Sequence, residues 1–87
     1  MNQKVDILLA TYNGEKYIKE QVESILNQTY ENIQIIISDD CSTDKTRQVL
    51  KEYENNEKIK IFYQEKNLGY VKNFEFLLNQ VESNLYM

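Results

Sequence analysis

Asp39 and Asp40 stand side by side where an apolar run, Ile33 to Ile37, gives way to Ser38 and then to the hydroxyl and acid side chains of Ser42, Thr43 and Asp44. Adjacent carboxylates suit four kinds of work: a catalytic acid–base pair, a metal site, a nucleotide clamp, or the polar end of a buried strand. The rest of the chain narrows the choice. It contains no histidine, which removes Ser-His-Asp and Cys-His nucleophile systems and any zinc site built on imidazole. Cys41 is the single cysteine, so there is no internal disulfide and no thiolate metal cluster. It reads as inert filler.

These residues sit in a chain of 87, one domain or part of one, and a chain of that size buries only about 60% of its unfolded surface. Hydrophobic residues at 41% and charged residues at 28% are ordinary for a globular protein. The net charge is −4, with no basic stripe, which argues against nucleic-acid binding. Apolar runs are too short to span a membrane. The N-terminal MNQKVD lacks an apolar signal core, so a cytoplasmic location is expected.

Three strand–helix units position the polar segments. Val5 to Ala10 is a short apolar run that ends at Thr-Tyr-Asn-Gly and reads as a buried strand. From Glu15 to Gln28, Ile18, Val22, Ile25 and Leu26 fall on one helix face, with Asn13 or Gly14 as the expected cap. Ile33 to Ser38 is a β-branched second strand. Ser42 or Thr43 is the expected cap of a second helix with Thr46, Val49, Leu50 and Tyr53 on its inner face. Ile59 to Gln64 reads as a strand near a sheet edge, and Val71, Phe74, Leu77, Leu78 and Val81 mark a third helix. Strand starts at Val5, Ile33 and Ile59 are 28 and 26 residues apart, the repeat of βαβ units with a parallel sheet. One more period reaches Leu85-Tyr86-Met87, where a fourth strand is expected to begin; the chain is read as truncated there.

Ligands of open parallel sheets bind outside the carboxyl ends of the strands. Three loops meet there: Ala10 to Glu15, Ser38 to Ser42, and Glu65 to Gly69. Polar βα loops are the default in such folds, so each alone is weak evidence. A dinucleotide-binding fold is disfavoured, because the first turn offers only Gly14 where G-x-G-x-x-G is needed. A P-loop fails for want of G-K-[ST], and a phospho-acceptor receiver domain would want its acids after the first strand.

The ordered set of motifs is more specific than any one of them. Thr11-Tyr12-Asn13 after the first strand, Ser24 to Tyr30 at the end of the first helix, Asp39-Asp40-x-Ser42-x-Asp44 after the second strand, and Asn67-x-Gly69 resemble the opening of glycosyltransferase family 2. These are inverting enzymes of the GT-A fold, and the resemblance covers essentially the whole chain. It implies an α/β, Rossmann-like parallel sheet of GT-A type with strand order 3-2-1-4, truncated to about three βα units. Residues 1–87 would be the N-terminal nucleotide-sugar-binding part of the domain.

On this resemblance a nucleoside-diphosphate sugar lies in the strand-end crevice. Ala10 and Tyr12 would line base and ribose, Thr11 between them would belong to the same nucleotide-sugar site, Asp40 would hydrogen-bond the base, Asp39 would brace the loop, and Asn67 and Gly69 would border the donor. The arginine common near the diphosphate is missing from Asn67 to Phe74. That resembles the rhamnosyltransferase-like branch, with Lys72 as the candidate substitute. The family's Asp-x-Asp ligands for a divalent cation (Mn or Mg) and its catalytic base lie beyond the fourth strand. The chain contains no Asp-x-Asp, so by itself it is expected to be inactive. The implied parent transfers a UDP- or dTDP-linked sugar to a glycan or lipid-linked acceptor hydroxyl in bacterial cell-surface polysaccharide synthesis, at the cytoplasmic face of the membrane or free in the cytoplasm. The alternative is a nucleotide-binding or interaction module without transferase activity. Self-association through the exposed sheet edge is expected of the chain on its own.

Overall fold

The computed structural model describes residues 5–28 and 32–81. Three strands, β1 (Val5–Thr11), β2 (Ile33–Asp39) and β3 (Ile59–Tyr63), alternate with three helices, α1 (Ile18–Leu26), α2 (Thr46–Lys51) and α3 (Tyr70–Leu78). All strand pairs are parallel, and the sheet order is β1-β2-β3. Leu9 is level with Ile37 and Ala10 with Ser38, while Ile37 and Ser38 are level with Ile61 and Phe62 of β3.

The pleat of β2 divides the interior in two, since successive side chains point to opposite faces. Ile35 and Ile37 join Ile18, Val22, Leu50, Tyr53 and Ile59 in one buried cluster beneath α1 and α2. The two helices are tied by the Tyr53 hydroxyl, which donates to Glu23 Oε2 at 2.7 Å. Burial, followed by that hydrogen bond and the charge of Glu23, pushes the hydroxyl up to about 12. Ser38 points to the other face, where α3 lies over β1 and β2. Phe62 on β3 meets Phe76 of α3 edge-on, with centroids 5.1 Å apart.

The helix starts differ from the sequence expectation. Tyr17 and Ile18 donate their N–H groups to Gly14 O, so a turn precedes α1 and no side chain caps it. The Asn13 side chain serves the next unit instead, accepting the N–H groups of Thr43 and Asp44. Neither Ser42 nor Thr43 caps α2; Asp44 Oδ1 accepts the Thr46 N–H at 2.9 Å. Ser42 is recruited by Asp39, which leaves the capping role to the next acid.

The third helix is also rotated from its expected face. Asn73 and Leu77 are its buried residues, whereas Val71, Phe74 and Leu78 are exposed. A buried asparagine displaces the apolar stripe because it has hydrogen bonds to make to Ser38 beneath it.

β2 is central and buried, and β3 is an edge, as its partial alternation suggests. The observed order is the 3-2-1 part of the expected 3-2-1-4, so β1, which a fourth strand would cover, is the other edge among the described residues, and Ile7 to Ala10 are only half-buried. The expected fourth strand at Leu85 to Met87 lies outside the described residues, as does the Thr29-Tyr30 end of the helix motif. No helix among the described residues is long and apolar enough to cross a membrane.

Candidate functional site

The alternation that divides the core also separates the two adjacent acids. Asp39 shares the face of Ile35 and Ile37, and Asp40 turns with Ser38 toward α3. Asp39 is fully buried. Its Oδ1 accepts the Ser42 hydroxyl at 2.5 Å, and Oδ2 accepts the Ser42 N–H at 3.0 Å and Arg47 Nε–H at 2.8 Å. Arg47 Nη2 donates onward to Gln64 O at 2.6 Å, and its guanidinium lies 5.3 Å from the Tyr63 ring centroid. With one donor on the Asp39 carboxylate and another on the Gln64 carbonyl, the guanidinium fixes the end of β2 to the end of β3. Arg47 is the single arginine of the sequence, a signal that motif reading passed over.

Asp40 makes a different set of bonds. Oδ1 accepts the Leu68 N–H at 2.7 Å and Oδ2 the Gly69 N–H at 3.0 Å. Asn67 Nδ2 donates to Asp40 O at 3.2 Å, and the Asp40 N–H donates to Thr11 O at 2.9 Å. Asp40 therefore joins all three loops. Cys41, next to it, holds φ at 62°, a left-handed conformation that costs a residue with a Cβ about 1–2 kcal/mol. That turn carries Asp40 toward α3 while bringing Ser42 back to Asp39. Gly69 has φ of 90°, which suits glycine, and it opens α3.

Around Asp40 lies a cleft of about 230 Å³. Ala10, Thr11 and Tyr12 form the wall at the end of β1, and Asn67, Gly69, Tyr70 and Asn73 form the wall toward α3. Of the residues singled out from sequence, Ala10, Thr11, Tyr12, Asp40, Asn67 and Gly69 come together here. Asp39 and Lys72 do not line the cleft; Lys72 is exposed on α3.

Tyr70 and Asn73 were missed. Asn73 has a periodic signal, four residues before Leu77, but apolar scoring favours Val71 and Phe74. It accepts the Ser38 hydroxyl at 2.6 Å and donates Nδ2 to Ser38 O at 3.1 Å, while Gln64 Nε2 donates to Ser38 Oγ at 3.0 Å. This satisfied polar network sets the height of α3 above the sheet.

The first loop is held from behind. The Gly14 N–H donates to Thr46 Oγ1 at 2.8 Å, the Glu15 N–H to Asp44 Oδ2 at 3.2 Å, and the Asn13 N–H to Ser42 Oγ at 2.8 Å. Partial burial works against the Asp44 carboxylate, but bonds from the Thr46 side chain and from the Thr46 and Glu15 N–H groups outweigh it and hold its carboxyl below the usual range. Among the described residues no three acidic, cysteine or histidine side chains are placed to hold a metal ion. Asp39, Asp40 and Asp44 are committed to backbone amides, the Ser42 and Thr46 hydroxyls and Arg47, and do not fit a cation.

Comparison with known proteins places this geometry. An uncharacterized glycosyltransferase of Haemophilus influenzae is 46% identical over 68 residues, covering 77% of this chain and 21% of the relative. The poly(ribitol-phosphate) beta-N-acetylglucosaminyltransferase TarS of Staphylococcus aureus is 37% identical over 68 residues, covering 76% of this chain and 12% of TarS. The crystal structure of TarS residues 1–349 in complex with UDP-GlcNAc superposes with a TM-score of 0.83 at 34% identity, over 93% of this chain and 24% of that one. A mannosyltransferase from Pyrobaculum calidifontis, solved with GDP-Man and Mn2+, has a TM-score of 0.85 over 97% of this chain and 26% of its own, at 18% identity, a likeness of fold alone. The chain thus spans about a quarter or less of the proteins it matches, and its sheet is that of GT-A glycosyltransferases. Residues 6–87 match the profile of glycosyl transferase family 2, and the chain belongs to that family.

Proposed function

We propose that the cleft at the strand ends holds the nucleoside diphosphate of a nucleotide sugar, and that residues 1–87 are the N-terminal donor-binding part of a sugar transferase. The observation that carries this reading is the junction at Asp40, where one buried carboxylate ties together three loops around a cleft with Tyr12 at its mouth. The likeness to TarS, solved with UDP-GlcNAc, supports it. In this reading Ala10, Thr11 and Tyr12 receive base and ribose, Asp40 accepts a base N–H, and Asn67 and Gly69 border the rest of the donor. Asp39 is the brace, through Arg47 and Ser42. Lys72 is exposed on α3 and does not line this cleft.

The whole protein would transfer a UDP- or dTDP-linked sugar to a glycan or lipid-linked hydroxyl, in the cytoplasm or at its membrane face, during cell-surface polysaccharide synthesis. A divalent cation would neutralise the departing diphosphate; the described residues offer it no ligand set, and no step of the reaction is assigned to them. We therefore expect the chain alone to bind donor without transferring sugar, and to self-associate along β1.

Calorimetry of the chain with UDP, dTDP, GDP and CDP tests the binding reading. Saturable one-to-one binding of UDP or dTDP is expected; no binding of any nucleotide at millimolar concentration would overturn it. A coupled assay for released nucleoside diphosphate, with and without manganese, tests the second part. Product above an enzyme-free control would refute the expected inactivity.

A further inference from the structure

Tyr70 is the most exposed of the large hydrophobic residues among those described, at 77%, yet it lines the cleft. Its position on α3 says which way it faces. Residues three apart on a helix differ by about 60° in direction, so Tyr70 and Phe76 flank the buried Asn73 on opposite sides. Phe76 leans toward β3, where it meets Phe62. Tyr70 therefore leans the other way, over the end of β1, where Tyr12 stands 47% exposed on the opposite wall. Asp40 lies between the two walls, with one amide on each carboxylate oxygen. Each oxygen keeps a second lone pair for a ligand.

Two solvent-facing aromatic rings on opposite walls, with an acceptor between them, match a flat ligand that carries a ring N–H on its edge. A sugar ring offers no such plane, and a diphosphate would face an acceptor that repels it. We infer that Tyr70 is a base-stacking residue, the second wall of an aromatic slot shared with Tyr12, which takes the nucleobase of the donor. This rests on the donor-binding reading above. It adds a contact that depends on the base and not on the phosphates.

The test compares the chain with its Tyr70→Ala and Tyr70→Phe forms, titrated by calorimetry with UDP and with ribose 5-phosphate, which lacks the base. Because the ring is exposed, both variants are expected to keep the circular dichroism and melting temperature of the parent. Loss of one stacking ring is expected to weaken UDP about tenfold or more, with Tyr70→Phe close to wild type. Ribose 5-phosphate should bind the parent and Tyr70→Ala alike, however weakly. UDP binding by Tyr70→Ala equal to that of the parent overturns the inference while leaving the donor reading intact. An equal loss for both ligands also overturns it, because Tyr70 would then serve the sugar-phosphate. If the unmodified chain binds no nucleotide, the donor reading falls and this inference with it.

Discussion

Ser38 and Asn73 close a two-bond ring between β2 and α3: the serine hydroxyl donates to Oδ1 at 2.6 Å, and Nδ2 donates to the serine carbonyl at 3.1 Å. Both residues are buried, so neither group has water to fall back on. Asn73→Ala would leave the buried Ser38 hydroxyl without its acceptor and remove the side-chain donor from the Ser38 carbonyl, a cost of about 1–3 kcal/mol. For a domain of this size that is a fall in melting temperature of roughly 5–15 °C. Gln48→Ala, on the exposed side of α2, serves as the control and should stay within about 0.5 kcal/mol. Equal melting temperatures for the two variants would show that the ring does not hold α3.

Gly14 is required for space. A Cβ there would lie 2.8 Å from Thr11 Oγ1 and 3.2 Å from the Tyr17 ring, and the Gly14 N–H is pinned to Thr46. The loop cannot retreat without losing that bond. Gly14→Ala is expected to destabilise by about 1–3 kcal/mol, as overpacking does. Adding Thr11→Ala removes the closest atom, so the double variant should lose less than the sum of the singles. Strict additivity in denaturant melts would place the strain elsewhere.

Acid should reveal the role of Asp44. Its carboxyl is held below the usual range in the folded chain, so the stabilisation is complete above the unfolded value of about 3.9 and is lost as pH falls through the lower folded one. The stability gap between the chain and Asp44→Asn should be widest near neutrality and close below about pH 4. Because the comparison is a difference, the other carboxylates cancel to first order. A gap that stays constant down to about pH 2 would mean that the bonds to Thr46 and Glu15 do not depend on charge.

β1 is an edge of the sheet among the described residues, and it should pair with a second copy. The Val5 N–H donates to Asn32 O and Thr11 O accepts from Asp40, so these residues serve β2. Leu8 and Ala10, in the alternate positions, turn their backbone groups to the other side. Two copies joined antiparallel along β1 would bring their α3 helices about two strand spacings apart, about 10 Å, which is the distance of packed helices. Phe74 and Leu78, exposed on the β1 side of α3, would then meet across the two-fold. We expect a dimer in sedimentation, converted to monomer by Phe74→Glu with helix content unchanged. A stable monomer at high concentration with a cooperative melt would contradict this.

The strands were legible because each is a short β-branched run bounded by turn residues, and because the regular spacing of Val5, Ile33 and Ile59 left room for one crossover helix each time. The converging loops followed from that topology. What could not be read was pairing at a distance. Asn13 caps a loop 30 residues away and Arg47 closes on Asp39 and Gln64, and no local propensity encodes either bond. The face of α3 was misjudged for the same reason. Scoring by hydrophobicity cannot know that Ser38 waits beneath Asn73.

The two roles of Asp40, loop anchor and base acceptor, separate under substitution. Uracil, thymine and guanine present a ring N–H that an ionised carboxylate can accept, whereas cytosine and adenine present a lone pair at the corresponding edge. A hydrogen bond to a charged group contributes about 1.5–3 kcal/mol, roughly 10- to 100-fold in affinity. UDP, dTDP and GDP are therefore expected to bind well ahead of CDP. Asp40→Asn replaces one acceptor oxygen with an N–H₂ that must face either a loop amide or the ligand. If it faces Leu68 or Gly69, the loop loses one of its two anchors and the melting temperature falls. If it faces the base, it repels uracil N3–H and suits cytosine N3, so the lead of UDP over CDP should shrink or reverse. Calorimetry with the four nucleotides and a melt of each protein distinguish the cases. If CDP binds the unmodified chain as well as UDP does, or if Asp40→Asn lowers the melting temperature while the order of nucleotides stands, Asp40 is an anchor for the Asn67–Gly69 loop and does not read the base.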